Sequence, residues 1–328
     1  MDVWKYVLST IIMAFGFWPD AICIPISESH SEKCIPVSNS PAEDDTLTIA
    51  FTGDILLDRG VRTCIEKNGA DAIFSASIDS LFQTCKLVVG NLECPATKIR
   101  QRVYKRFMFR AEPEWLLTLK QHGITHLNLA NNHSIDQGRE GLLDTKRNIE
   151  QAGMVAVGVG RNIQEAAAPL LLAEQPRRVY LLMSQRLPLE NFAYLPHRPC
   201  VSQESIDSLC ARIRRLKAQE PDCYVIVNVH WGWEHKIEPT LKQRQEAHEI
   251  VSAGADLIIG HHTHSLQTVE TWQGTPIYYS LGNFIFDLDK PVNTKTCVVK
   301  VVMTKDGVTI NALPVEIRQC VPYVLEAL

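Results

Sequence analysis

Apolar positions along this chain follow two rhythms. Short β-branched or aliphatic runs that end in polar residues, TLTIAFTGD (46–54), KLVVGNLE (86–93) and ITHLNLANNH (124–133), predict strands. Longer stretches keep helical spacing: PEWLLTLKQHG (113–123), and GREGLLDTKRNIEQAG (138–153), where Leu142, Leu143, Thr145 and Ile149 mark one face and Gly153 the stop. Strands alternating with helices predict a parallel sheet.

The second half repeats this rhythm and then changes it. A helix over 206–219 leads into the strand CYVIVNVHWG (223–232), and a helix over 241–254 leads into ADLIIGHHTH (255–264). Residues 267–284 and 297–317 then read as hairpins around Gln273-Gly274 and Asp306-Gly307. The whole is a mixed α/β pattern without an internal repeat.

Residues 1–45 stand apart from it. The apolar run Tyr6–Trp18 is the length of an export-signal core and too short for a membrane span, so residues 1–22 predict a signal peptide, with a retained anchor as the alternative. Residues 23–45, rich in Ser, Pro and acid, read as a linker. The folded domain is expected over 46–318, with 319–328 as a tail.

Charge and cysteines narrow the chemistry. A net charge of −4 and a pI near 6.3 give no basic field for nucleic acid, so contact with any polyanion must be local. The ten cysteines contain no C-x-x-C, which argues against a cysteine zinc site. In an exported protein some of them would pair, although Cys223 and Cys297, which open apolar strands, fit equally well as buried thiols.

The strand ends carry the chemistry. Asp54, Asn91 with Glu93, Asn131 to His133, His230, and His261 to His264 all close predicted strands, and the crevice beyond the carboxyl ends of an open α/β sheet is where ligands bind. Period-two alternation predicts that His262 and His264 share one ion while His261 points elsewhere. Oxygen and imidazole donors without thiolate suit one or two divalent ions, Mn, Fe, Zn or Mg. Taken singly, Asp54 also reads as a helix N-cap and the asparagines as turn residues.

TGDILLDRG, GNLECPAT, LANNHSIDQGREGLLDT, the stretch from VHWGWEH through GADLIIGHHTHSLQTVE, and IYYSLGNFIFD resemble, in order over about residues 47–288, the motifs of the bacterial capsule synthesis CapA family. That family is linked to poly-γ-glutamate capsule synthesis or export and is related to calcineurin-like metallophosphoesterases. The resemblance implies a four-layer α/β/β/α sandwich with a dinuclear-type site. Asp54, Glu93, Asn91, Asn131, Asn132, His230, His262 and His264 would be the metal-binding set, and His133 the catalytic imidazole. There is a departure: the Asp-x-His of the first phosphoesterase motif here has Leu56 at the histidine position, and Glu93 replaces the usual bridging aspartate.

In this reading His133, steadied by Asp136, protonates a leaving group, and Arg59 neutralises a substrate oxygen. Tyr279, Ser280 and Asn283 line the pocket. The expected activity is hydrolysis of a phosphoester or γ-glutamyl amide in an anionic polymer, alongside membrane proteins of capsule synthesis or export. The alternative is a non-catalytic component that binds polymer or a partner.

Overall fold

A computed structural model describes residues 46–101, 105–189 and 193–325; the predicted signal and linker lie outside them. The first sheet is built on four parallel strands, β1 (Leu47–Ile55), β2 (Leu87–Leu92), β3 (His126–Asn128) and β4 (Val155–Val157). A short ribbon pairs β5 (Val159–Gly160) with β8 (Cys200–Val201). The second sheet contains β6 (Leu170–Ala173), β7 (Val179–Gln185), β9 (Tyr224–His230), β10 (Leu257–His261), β11 (Val269–Trp272) and β12 (Thr275–Tyr278), in the order β11-β12-β10-β9-β7-β6. Its four central strands are parallel. The chain then returns to the first sheet. There β13 (Asn283–Ile285) runs parallel to the end of β1, and β14 (Lys295–Thr304), β15 (Gly307–Arg318) and β16 (Val321–Val324) form an antiparallel meander along its other edge.

Alternation along the strands decides how these sheets stack. Ile49 and Phe51 of β1 face Ile226 of β9 and Leu257 and Ile259 of β10, forming a core between the sheets. The intervening residues turn outward. Ala50 and Ile55 meet Val61, Ile65, Ile78, Leu116 and Leu142 on helices Arg59–Asn68, Ala76–Gln83, Trp115–Gln121 and Gly138–Gln151. Val225, Val227, Val229 and Ile258 meet Leu209, Ile213, Ala247 and Ile250 on helices Ile206–Gln219 and Leu241–Ser252. Both faces of each sheet are therefore covered, which is why the central strands read as nearly continuous apolar runs. This is the expected four-layer α/β/β/α sandwich.

Several elements differ from expectation. The strand predicted over 124–133 lasts three residues, because Asn128 Oδ1 accepts from the amide of Ala130 and turns the chain out of the sheet. The strand predicted over 255–264 stops at His261, since His262 and His264 have φ of 91° and 54°. The helix cap considered for Asp54 falls instead on Asp58, whose carboxylate accepts from the amide of Arg59. The residues set apart as a tail from 319 include β16, and Ser75 Oγ donates to the carbonyl of Pro322 at 2.6 Å. The eight described cysteines are free thiols, Cys223 and Cys297 among the buried ones; Cys23 and Cys34 lie outside the described residues.

Gly260 sits where the sheet cannot admit a side chain. A Cβ there would stand 1.9 Å from the carbonyl oxygen of Tyr279. Gly260→Ala is predicted to lower unfolding stability by about 3 kcal/mol, measured by urea denaturation; a change near zero would mean that β10 and the Tyr279 segment separate easily.

Candidate functional site

Strand register places the polar residues in two facing rows. In the first sheet Asn283, Asp54, Asn91 and Asn128 are successive cross-strand neighbours. In the second sheet the row is Gln185, His230 and His261. Glu93 follows β2 directly, and the turn after β3 brings in Asn131, Asn132 and His133. All of these residues are buried, and Asp54, Asn91, Glu93 and His230 are completely so.

Two triads form within this crevice, Asp54 with Glu93 and His264, and Glu93 with His230 and His262; the potential ligand atoms in each lie within 4.8 Å of one another. Glu93 belongs to both: Oε1 is 3.6 Å from His230 Nε2, and Oε2 is 3.8 Å from His264 Nδ1. Among the described residues neither oxygen has a hydrogen-bond partner. Asn132 Oδ1 joins the second triad at 2.8 Å from His230 Nε2. His262 and His264 thus divide between the triads instead of sharing a position, because alternation fails once the backbone leaves the strand at positive φ. His261, expected to point elsewhere, brings Nδ1 within 3.2 Å of Asp54 Oδ1.

The remaining asparagines are braces. Asn91 Nδ2 donates to Asp54 Oδ1 at 2.8 Å, while its Oδ1 accepts from Asn128 and Asn131 at 3.0 and 3.2 Å. Asn131 Oδ1 accepts from the amides of His133 and Ser134 and from Ser134 Oγ at 2.9–3.1 Å. Their amides are committed, so Asn91 and Asn131 orient the triads and do not act as ligands. Asn283 serves His264 in the same way, with Oδ1 at 2.9 Å from its Nδ1.

Three other candidate residues have partners of their own. Arg59 is held by Asp287 at 3.0 and 3.1 Å. Tyr279 belongs to the outer core, its ring stacked on Trp231 and its hydroxyl donating to Glu270 at 2.8 Å, so it does not line the crevice. Ser280 Oγ accepts from the amide of Gly282 and shapes that turn. His133 and Asp136 do meet: His133 Nδ1 lies 2.9 Å from Asp136 Oδ2, which also accepts from the amide of Phe109. Lys105 is not foreseen in the sequence. Its side chain is buried and donates to Asp136 Oδ1 at 2.7 Å and to the carbonyl of Asn132 at 3.0 Å.

Burial sets the electrostatics. It pushes the Glu93 carboxyl well up, and the Asp54 charge adds to that. For Asp54 burial acts upward too, but the imidazoles of His261 and His264 prevail and hold it well below the usual carboxylate range. Burial lowers His262 to about 3 and His230 well below its ordinary value, with neighbouring imidazoles reinforcing the shift. His264 is the exception. Burial acts downward there, yet Glu93 and Asp54 raise it to about 9. Burial lowers His133, partly offset by Asp136. An unpartnered buried carboxylate among these imidazoles fits a divalent cation, whose binding would favour ionised carboxylates and neutral imidazoles.

Comparison with known proteins bears on the family and the fold. The family model described as bacterial capsule synthesis protein PGA_cap matches residues 48–288. The chain is 31% identical to the PGA biosynthesis protein CapA of Bacillus subtilis (strain 168), covering 85% of this chain and 74% of that one. It is 30% identical to the capsule biosynthesis protein CapA of Bacillus anthracis, covering 89% and 72%. A hypothetical protein from Thermus thermophilus shares the fold, with a TM-score of 0.51 at 15% identity, over 83% of this chain and 100% of that one. The chain belongs to the bacterial capsule synthesis family, a group of proteins related to capsule and poly-glutamate synthesis. Among the described residues no helix is long and apolar enough to cross a membrane.

The raised His264 gives a signed pH effect. Its folded value of about 9 exceeds the free value of 6.5, so its stabilising contribution is full below pH 6.5 and is lost as pH rises to about 9. Chelator-treated protein is therefore predicted to lose stability across that window, and His264→Gln to flatten the loss, as read by urea midpoints at successive pH values.

Proposed function

We propose that this protein is an exported metal-dependent hydrolase of capsule or poly-γ-glutamate synthesis, cleaving a phosphoester or γ-glutamyl amide in an anionic polymer. The observation that carries the reading is Glu93, a buried carboxylate with two unpartnered oxygens shared by two triads. The apolar run Tyr6–Trp18 supports export.

Asp54, Glu93 and His264 would hold one divalent ion, and Glu93, Asn132, His230 and His262 the other. Bound ions would lower the pKa of an attacking water and polarise the substrate oxygen. The chain's own groups supply proton transfer and orientation. Asp136 fixes His133 through Nδ1, and Lys105 donates to its other oxygen. His133 Nε2 makes no hydrogen bond among the described residues and is left to protonate the leaving oxygen or nitrogen. Neutral His133 must first gain that proton, and the adjacent Asp136 carboxylate stabilises the imidazolium once it forms. The acidic chain has no broad positive field for a polyanion, so recognition falls to the site itself.

The test uses the full chain with Mn²⁺ or Zn²⁺ against a generic phosphodiester and poly-γ-glutamate. Cleavage of one of them is expected, with His133→Ala lowering kcat by about 10²–10⁴-fold while metal content stays unchanged. Failure of the folded, metal-loaded protein to cleave either would replace hydrolysis with a binding role for this crevice, and full activity in His133→Ala would remove His133 from the mechanism.

A further inference from the structure

The two triads are unequally supplied. The group around His230 and His262 has two imidazoles and the Asn132 amide, whereas the group around Asp54 has His264 alone. Leu56, at the position where the resemblance expects a second histidine, is fully buried in the apolar cluster beneath the outer helices and can contribute nothing.

His261 stands where that imidazole is missing. The ring is 1% exposed and sits at the end of β10, in register with His230. Its Nε2 lies 2.9 Å from Asn228 Oδ1. An amide oxygen only accepts, so Nε2 carries a hydrogen, and in the neutral ring Nδ1 has the lone pair. That lone pair faces the site, 3.2 Å from Asp54 Oδ1, and makes no hydrogen bond. A cation between these two atoms would be held by both the carboxylate oxygen and the imidazole nitrogen. The hydrogen bond from the distal nitrogen to Asn228 is also how a metal-bound histidine is normally held in its tautomer.

We infer that His261 Nδ1 replaces the missing histidine and completes the ion position formed by Asp54, Glu93 and His264. This rests on the two-ion reading above and deepens it. With His261 included, each position holds two imidazoles, which selects Mn²⁺, Fe²⁺ or Zn²⁺ over the oxygen-seeking Mg²⁺. It also accounts for the adjacent pair His261-His262: the strand residue serves one ion and the first residue beyond the strand serves the other.

His261→Gln is the informative substitution, since its side-chain amide retains the donor to Asn228 and deletes the nitrogen facing Asp54. Metal content of the full chain by mass spectrometry, with Mn²⁺ titration by calorimetry, should show two ions in the wild type. In the variant, one class should weaken on the order of a hundredfold while the other is unaffected. If His261→Gln binds both ions with wild-type affinity, His261 is not a ligand and the two-ion reading stands without it. If the wild type binds none, both inferences fall. Should the variant not fold, ¹⁵N-histidine NMR of the wild-type chain loaded with ¹¹³Cd decides the matter: coupling at His261 Nδ1 supports the assignment, and coupling confined to His230, His262 and His264 overturns it.

Discussion

The buried carboxylates of Asp54 and Glu93 impose the constraint from which the rest of the strand-end architecture follows. Both are fully buried, and charge of one sign concentrated away from water is unfavourable unless countered. Four imidazoles and a row of asparagine amides converge on them. Imidazole pKa values are spread apart as a result, with His264 raised to about 9 beside the carboxylates and His262 lowered to about 3 by burial and by His264. Groups so opposed in their protonation are brought into agreement by a cation that needs carboxylates ionised and imidazoles neutral.

The sandwich makes that convergence rigid. Side chains alternate along β9 and β10, so His230 and His261 follow Ile226 and Ile259 on the inter-sheet face, while in β1 an irregularity of register between Phe51 and Asp54 turns the carboxylate to that same side. Asp54 thus meets the histidines across a gap already set by apolar packing. The loop side of the site is less regular. His262 and His264 adopt positive φ, and such conformations persist when surrounding contacts fix them. Here the His262 amide donates to Asp54 Oδ2 at 3.2 Å, and the His264 carbonyl accepts from Asn293 Nδ2 at 2.8 Å.

Much of this is legible in the sequence because strong periodicity carries it. The runs around residues 46–54, 86–93 and 223–232 predict central strands, and the polar residues closing them predict the crevice. The failures have physical causes. The β7 strand, VYLLMSQ, goes unassigned because a short apolar run without alternation does not distinguish strand from helix. Assigning His262 and His264 to one ion extends a strand past its end at His261. Asn91 and Asn131 read as ligands although their amides are spent on neighbours, and no one-dimensional pattern shows a side chain's partners. Lys105 leaves no signal either: its partner Asp136 lies 31 positions away. Tyr279 reads as a crevice residue, but it follows the end of β12 and its ring packs in the outer core against Trp231.

The central claim is that Glu93 joins two cation positions at the ends of the sheets. Anomalous diffraction from crystals of the full chain grown with Mn²⁺ measures this directly. Two anomalous peaks flanking the Glu93 carboxylate, one beside Asp54 and His264 and one beside His230 and His262, are the predicted result. Absence of peaks at saturating Mn²⁺, or peaks remote from Glu93, would contradict it and leave the buried carboxylates to be explained by protonation alone.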